Sequence, residues 1–327
     1  MSERFLVTGA LGCIGAWTVK RLVREGVPVW TYDLPGSQHR LQLILSSDEL
    51  AQVQMIGGDI TDFEKFEKTV ADNGITNIIH LAAFQVPFVR ADPVQGMKVN
   101  AVGTTIVFET AKRHRDHVKS VAYASSAGVY GPPDRYPPGP LAHDAPHDPT
   151  NLYGVTKHAN EGTAKIYWLE NQIRSVGIRP YVIYGPGRDQ GMTSTPTKAM
   201  LAAAVGRPYH ISFGGIVVYH HAEDAAEMFI RAARSGQAGA EVYNLGGNTA
   251  HMDEVVAGIN AAAPEMAGKI TFEPIQLATP TAIDETMLIQ ALGKPNWRPL
   301  AEGIAQTVAH FRQAAGEGKM AVDKILS

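Results

Sequence analysis

Tyr153 and Lys157 stand four positions apart in NLYGVTKHANE, residues 151–161, a stretch that reads as the start of a helix. Residues at i and i+4 share one helical face, so this phenol and this ammonium can point into the same cavity. A phenol beside a cation is a means of moving a proton. Taken alone, the pair reads first as ordinary helix surface, since both side chains commonly cover apolar surface with their stems. The residues around it decide between the two.

A second constellation lies near the N-terminus. In VTGALGCIGAW, Gly9, Gly12 and Gly15 follow at three-residue spacing after a strand-like run and before a helical one. Glycines so placed permit a tight turn and bring backbone N–H groups close to a pyrophosphate, while the helix N-terminus adds positive potential. A glycine turn with no ligand is the plainer reading of the motif alone. Asp33, which ends VPVWTYD 18 residues past Gly15, favours the cofactor. A carboxylate there accepts hydrogen bonds from a ribose 2′-hydroxyl and repels a 2′-phosphate. NAD is therefore expected over NADP, with Arg40 as the residue that keeps NADP open. Cys13 reads as a small filler of the turn.

These residues need a scaffold that brings residue 9 beside residue 153. Short β-rich runs, RFLVTGA, VPVWTYD, AQVQMIGGD, NIIHLAA, SVAYASS, IRPYVIYG and EVYNLGG, alternate with amphipathic segments such as AWTVKRLVREG and TTIVFETAKRHR. That alternation predicts an α/β fold, a Rossmann-type doubly wound parallel sheet. Residues 132–150 hold seven prolines and read as a structured surface loop rather than a strand. Beyond about residue 186 the alternation breaks down. The expected organisation is a mainly cofactor-binding domain over 1–185 and a smaller interleaved substrate lobe over 186–327, with the strand near 241–247 returning to the main sheet.

Bulk properties narrow the function. The 327 residues suffice for a sizeable core, and 45% hydrophobic with 19% charged content is that of an ordinary globular protein. A net charge of -3 gives no general pull toward nucleic acid or anionic membrane. A single cysteine excludes an intrachain disulfide framework and a multi-cysteine metal site, so a cytoplasmic setting is expected. The N-terminus runs directly into a strand, and no apolar run is long enough to span a membrane. His220 and His221 fall on a strand and face opposite ways, and His114 and His117 sit in a cationic helix end, so no metal is expected.

Taken in order, GALGCIG, Asp33, GDI at 58–60, HLAA at 80–83, NAVGT at 100–104, SSAGVYG at 125–131, the Tyr153/Lys157 pair and VIYGPG at 182–187 resemble the extended short-chain dehydrogenase/reductase family, also called the NAD-dependent epimerase/dehydratase family. The resemblance covers almost the whole chain. It implies that Tyr153 is the general acid/base, with the Lys157 charge lowering its pKa, and that Lys157 also hydrogen-bonds the nicotinamide ribose. It implies that Ser126 hydrogen-bonds the reacting oxygen, and strand alternation then turns Ser125 away into a structural role. By the same resemblance Cys13 and Ile14 belong to the cofactor turn, and Asp59 and Ile60 flank adenine. Leu81 and Ala83 line the pyrophosphate or ribose, Pro180 borders nicotinamide, and Asn100 positions the cofactor or the fold. A homodimer is implied, pairing the helices that begin near Asn100 and Asn151.

The substrate is less constrained. Relatives that act on nucleotide-linked sugars usually carry an asparagine and an arginine where this chain has Val182 and Val217, and valine neither donates a hydrogen bond nor offsets charge. The departure favours a small free substrate, a sugar, sugar acid or hydroxy acid oxidised at a secondary alcohol. Arg188 or Lys198 stand as other sources of charge. The alternative is a nucleotide-sugar epimerase or dehydratase with tightly held NAD; a non-catalytic NAD-binding sensor or scaffold is the reading from another class. Gln85, Thr193, Ser194 and His210, with Ser126, are the expected substrate contacts, against a plainer reading as loop polarity.

Overall fold

The computed structural model describes residues 2–327. Strand alternation explains how the central layer is built. In β1 (Phe5–Thr8), Phe5 and Val7 face one side of the sheet and Leu6 the other, and all are fully buried. A strand buried on both faces belongs inside a parallel sheet covered by helices on each side. With β2 (Val29–Asp33), β3 (Gln54–Gly57), β4 (Asn77–His80), β5 (Ser120–Ala124), β6 (Ser175–Arg179) and a last strand, Ala240–Asn244, it forms seven parallel strands. Their spatial order is Ala240–Asn244, β6, β5, β4, β1, β2, β3. Helices Cys13–Arg24 and Ala222–Arg234 cover the Phe5 and Val7 face; helices Phe63–Asp72, Gly103–Arg113 and Leu152–Asn171 cover the Leu6 face. The chain order reverses at β1 and β4, and ligands of open parallel sheets bind outside the strands' carboxyl ends at such a point.

One predicted strand divides. IRPYVIYG reads as a single run, yet β6 ends at Arg179 and a separate strand, Val182–Tyr184, leaves for another sheet. Pro180 has no N–H for the ladder and stands at the break. Val182–Tyr184 pairs in parallel with Ile216–His221, which pairs antiparallel with Asn248–His251. These strands, with helices Thr195–Ala204, Met252–Ala262 and Leu300–Gly316, enclose a core of their own around Tyr184, Met200, Val217 and Ile304. The proline-rich loop carries a short 3₁₀ turn, Pro133–Arg135, and a single β-bridge from Leu141 to Ile283. It is ordered by Tyr136, whose hydroxyl accepts from Gly131 N at 2.8 Å and donates to Pro146 O at 3.0 Å.

Candidate active site

A cleft of about 720 Å³ opens at the carboxyl ends of the parallel strands, between the sheet and the second lobe. At one end is the glycine turn. Gly9 has φ +68, and a Cβ on it would stand 2.6 Å from Ala82 N and 2.7 Å from Leu81 C. The HLAA loop therefore closes against the turn through a contact that only glycine allows. A Cβ on Gly15 would meet Gly9 O at 2.2 Å, so the helix too is seated by the absence of a side chain. Gly12 caps helix Cys13–Arg24 with no side-chain acceptor, and the first turn holds no acidic residue. The helix N–H groups are thus free for an anion.

Asp33 follows at the end of β2. Its Oδ2 accepts from Leu11 N and its Oδ1 from Leu34 N, both at 2.9 Å, which leaves each oxygen a further lone pair. Burial raises its pKa, against those two hydrogen bonds and the charge of Arg40. Arg40 itself is committed: Nε and Nη2 donate to Asp189 Oδ1 at 2.9 and 2.5 Å, and Nη1 donates to Leu11 O at 2.8 Å. A free ribose hydroxyl fits here, whereas a 2′-phosphate would face Asp33 with the nearby cation already paired. Asp59 and Ile60 line the same end, the Asp59 Oδ1 accepting from Thr61 N at 2.9 Å. Leu81, Ala83 and Pro180 line the middle. Cys13 packs in the turn, where burial pushes its thiol up to about 12.

At the other end stand Ser126, Tyr153 and Lys157. Asn151 caps helix Leu152–Asn171, its Oδ1 accepting from Gly154 N at 3.0 Å, which directs the first turn and Tyr153 at the end of β5. Ser126 lies two residues beyond that strand, with Oγ accepting from Gly128 N at 3.0 Å. Lys157 Nζ donates to Ala124 O at 2.7 Å and lies 5.6 Å from the centre of the Tyr153 ring. The electrostatics depart from expectation. Burial raises the Tyr153 pKa above its ordinary value, and the groups that oppose the rise are Ser126 and Arg188, not Lys157. Lys157 is itself lowered to about 8 by burial, with Glu161 pulling the other way. Desolvation outweighs the neighbouring charge for both groups.

Ser125 is turned inward and donates to Glu161 Oε1 at 2.5 Å. Glu161, one further helical turn past Lys157, forms a buried pair with Arg179, Nε to Oε1 at 2.8 Å and Nη2 to Oε2 at 2.6 Å. Arg179 continues to the Tyr130 hydroxyl at 2.6 Å. Nothing in the sequence pointed to this pair, because the partners lie 18 residues apart in different elements.

Two expected substrate residues, Ser194 and His210, are elsewhere, and Asn100 serves the fold. Asn100 is buried away from the cleft, in a π-helical turn over Lys98–Val102. Its Oδ1 accepts from Phe84 N at 2.7 Å, and its Nδ2 donates to Phe84 O at 3.0 Å and Thr156 Oγ1 at 3.2 Å. It holds the loop after β4 to the Tyr153 helix. Ser194 is buried, donating to Gly191 O at 2.8 Å, so its polarity serves the loop. His210 stands outside the cleft on strand Tyr209–Ile211, bonded to Thr271 Oγ1 at 2.8 Å and Glu273 Oε1 at 3.0 Å. Gln85, Thr193 and Val182 do line the cleft, Val217 is fully buried in the second core, and Lys198 is not on the cleft wall. The wall also takes Arg188, Met192 and Leu277–Thr279. Arg188 entered the sequence reading only as a possible charge, and the distant 277–279 segment gave no local signal at all. His220 and His221 are buried neutral rings, each pushed down to about 3 by burial. His114, Asp116 and His117 bring ligand atoms within 4.8 Å of one another, far from the cleft lining, with His114 Nε2 3.5 Å from Glu67. Among the described residues no helix is long and apolar enough to cross a membrane.

The chain is similar to known proteins. The UDP-glucose 4-epimerase of Mycolicibacterium smegmatis is 32% identical, over 94% of this chain and 98% of its own length. The crystal structure of a UDP-glucose 4-epimerase from Thermus thermophilus in complex with NAD superposes with a TM-score of 0.80 at 25% identity, over 95% of this chain and 100% of its own. A partial-consensus L-threonine 3-dehydrogenase shares the fold, with a TM-score of 0.82 at 21% identity, over 95% of this chain and 100% of its own. Residues 5–246 match the NAD dependent epimerase/dehydratase family, and the chain belongs to that family.

Proposed function

We propose that the protein is an NAD-dependent oxidoreductase acting on a secondary alcohol, or the corresponding carbonyl, of a small polyhydroxylated compound such as a free sugar, sugar acid or hydroxy acid. Bound NAD supplies the hydride acceptor. Tyr153 takes the proton from the reacting hydroxyl, or returns it in the reverse direction, and Ser126 hydrogen-bonds the same oxygen. Lys157 holds the nicotinamide ribose and the orientation of the pair. The glycine turn receives the pyrophosphate and Asp33 the adenosine ribose.

The observation that carries the choice of a small substrate is Val182, an apolar side chain in the cleft wall, at the position where the family resemblance implies an asparagine in members acting on nucleotide sugars. A second reading, epimerisation of a nucleotide sugar with NAD retained, is favoured by the likeness to a UDP-glucose 4-epimerase. A screen of sugars, sugar acids, hydroxy acids and nucleotide sugars separates them. NADH should accumulate with a free polyol; conversion of a UDP-sugar without net NADH would overturn the first reading.

Assembly as a homodimer is part of the proposal. Leu152, Val155, Ala159, Gly162, Ile166 and Leu169 are exposed and recur at spacings of three and four along helix Leu152–Asn171, a stripe of the kind that packs against another helix. Leu169→Arg should convert a dimer mass in light scattering to a monomer mass. A concentration-independent monomer of the unaltered chain would refute it. A cytoplasmic setting is part of the proposal, supported by the lone Cys13, which leaves no intrachain disulfide to form.

A further inference from the structure

The cleft contains a cation that no carboxylate among the described residues pairs with. The segment after Tyr184 is tied down from outside: Trp17 Nε1 donates to Pro186 O at 2.9 Å, and Asp189 is taken by Arg40 at 2.5 Å and His39 at 2.7 Å. The one acidic side chain beside Arg188 in sequence is therefore spent on other cations. Arg188 reaches into the cleft from this segment, with its charge felt at both Cys13 and Tyr153. Its Nη2 donates to Thr193 Oγ1 at 3.0 Å, and its Nε is buried with no hydrogen-bond partner. Burial lowers its pKa, and Arg40 adds repulsion. Arg188 is half-buried on the cleft wall and has no carboxylate partner among the described residues, and its planar fork suits a carboxylate presented from the cleft.

We propose that Arg188 is the substrate's anion anchor, so that the compound oxidised is a polyhydroxy acid whose carboxylate is held by Arg188 while a carbinol carbon is presented to Tyr153. Thr193 fixes the guanidinium, and Gln85 lines the same wall and is placed for a neighbouring hydroxyl. The inference rests on the reading of the protein as a dehydrogenase of small substrates, and it narrows that reading to acids. The other anions the cleft would receive are the cofactor's pyrophosphate and, on the second reading, the diphosphate of a nucleotide sugar.

Arg188→Gln and Arg188→Lys, assayed with NAD on matched pairs of substrates such as gluconate and glucose or glycerate and glycerol, test it. The acid-to-neutral ratio of kcat/KM should fall by roughly ten- to a hundredfold in Arg188→Gln, mainly through KM, the scale of a lost charge-assisted hydrogen bond. Lysine should recover part of the loss. Calorimetric titration of NAD should give the same affinity for all three proteins. A tenfold loss of NAD affinity in Arg188→Gln would assign the charge to the pyrophosphate and overturn the proposal. An equal loss for acids and neutral polyols would do the same. Oxidation of neutral polyols but not acids by the unaltered enzyme would end the anchor while leaving the dehydrogenase reading intact. Epimerisation of UDP-glucose with no oxidation of any free polyol would end both.

Discussion

The two walls of the cleft are built in opposite ways. The cofactor wall is assembled from short contiguous stretches at strand ends: the glycine turn after β1, Asp33 at the end of β2, the HLAA loop after β4, and Ser126 just beyond β5. Each contributes backbone groups or one fixed side chain, so the requirements are local and glycine-specific. The substrate wall combines Gln85, the 188–193 segment and Leu277–Thr279, which are joined only by tertiary structure. On the proposed reading the first wall sets the chemistry and tolerates little change, and the second sets which molecule is presented to that chemistry.

The largest effect should come from Tyr153, which stands beside Ser126 at the end of the cofactor wall. Tyr153→Phe should leave the fold and NAD affinity nearly intact and reduce turnover by roughly two to four orders of magnitude, measured by steady-state kinetics. Because burial holds the Tyr153 phenol above its ordinary value of 10.0, alcohol oxidation by the unaltered enzyme should climb with pH through the alkaline range. Carbonyl reduction, which uses the protonated phenol, should not. A profile that is flat in the oxidative direction would remove Tyr153 from the proton transfer.

Behind that wall, Glu161→Gln should cost about 3–5 kcal/mol of stability in urea denaturation, since it leaves Arg179 buried without its counter-charge. It should also lower the Lys157 pKa further, because Glu161 is the group that raises it. A midpoint close to that of the unaltered protein would show the pair to be dispensable. Asp33→Ala should weaken NAD binding roughly ten- to a hundredfold and reduce discrimination against NADP. If the unaltered protein already binds NADP as tightly as NAD, Asp33 is not the discriminating residue. At the small end, His210→Ala should leave KM and kcat unchanged, since its partners are Thr271 and Glu273 outside the cleft. A raised KM would put His210 back in the substrate wall.

That contrast also explains what could be read from the sequence. The parallel sheet was legible because buried strands and amphipathic helices alternate, and the glycine turn because its spacing answers one geometric need. The division of IRPYVIYG at Pro180 was less visible, since both halves have strand composition and only tertiary pairing separates them. His210 and Ser194 looked available because polarity alone does not reveal partners, and each is satisfied by residues of its own lobe. The pKa order at Tyr153 escaped for a similar reason: the spacing of Tyr153 and Lys157 is local, but the desolvation that dominates both groups comes from the assembled cleft. Arg188 is one arginine among many until Asp189 is seen to be paired elsewhere.

The claim that a family cofactor wall here serves a small free substrate is tested most directly by the redox balance of the reaction. With NAD in excess, NADH formed and substrate consumed would be measured together for a polyhydroxy acid and for UDP-glucose. One NADH should form for each molecule of acid oxidised, with no conversion of UDP-glucose; epimerised UDP-glucose with no net NADH would contradict a small free substrate.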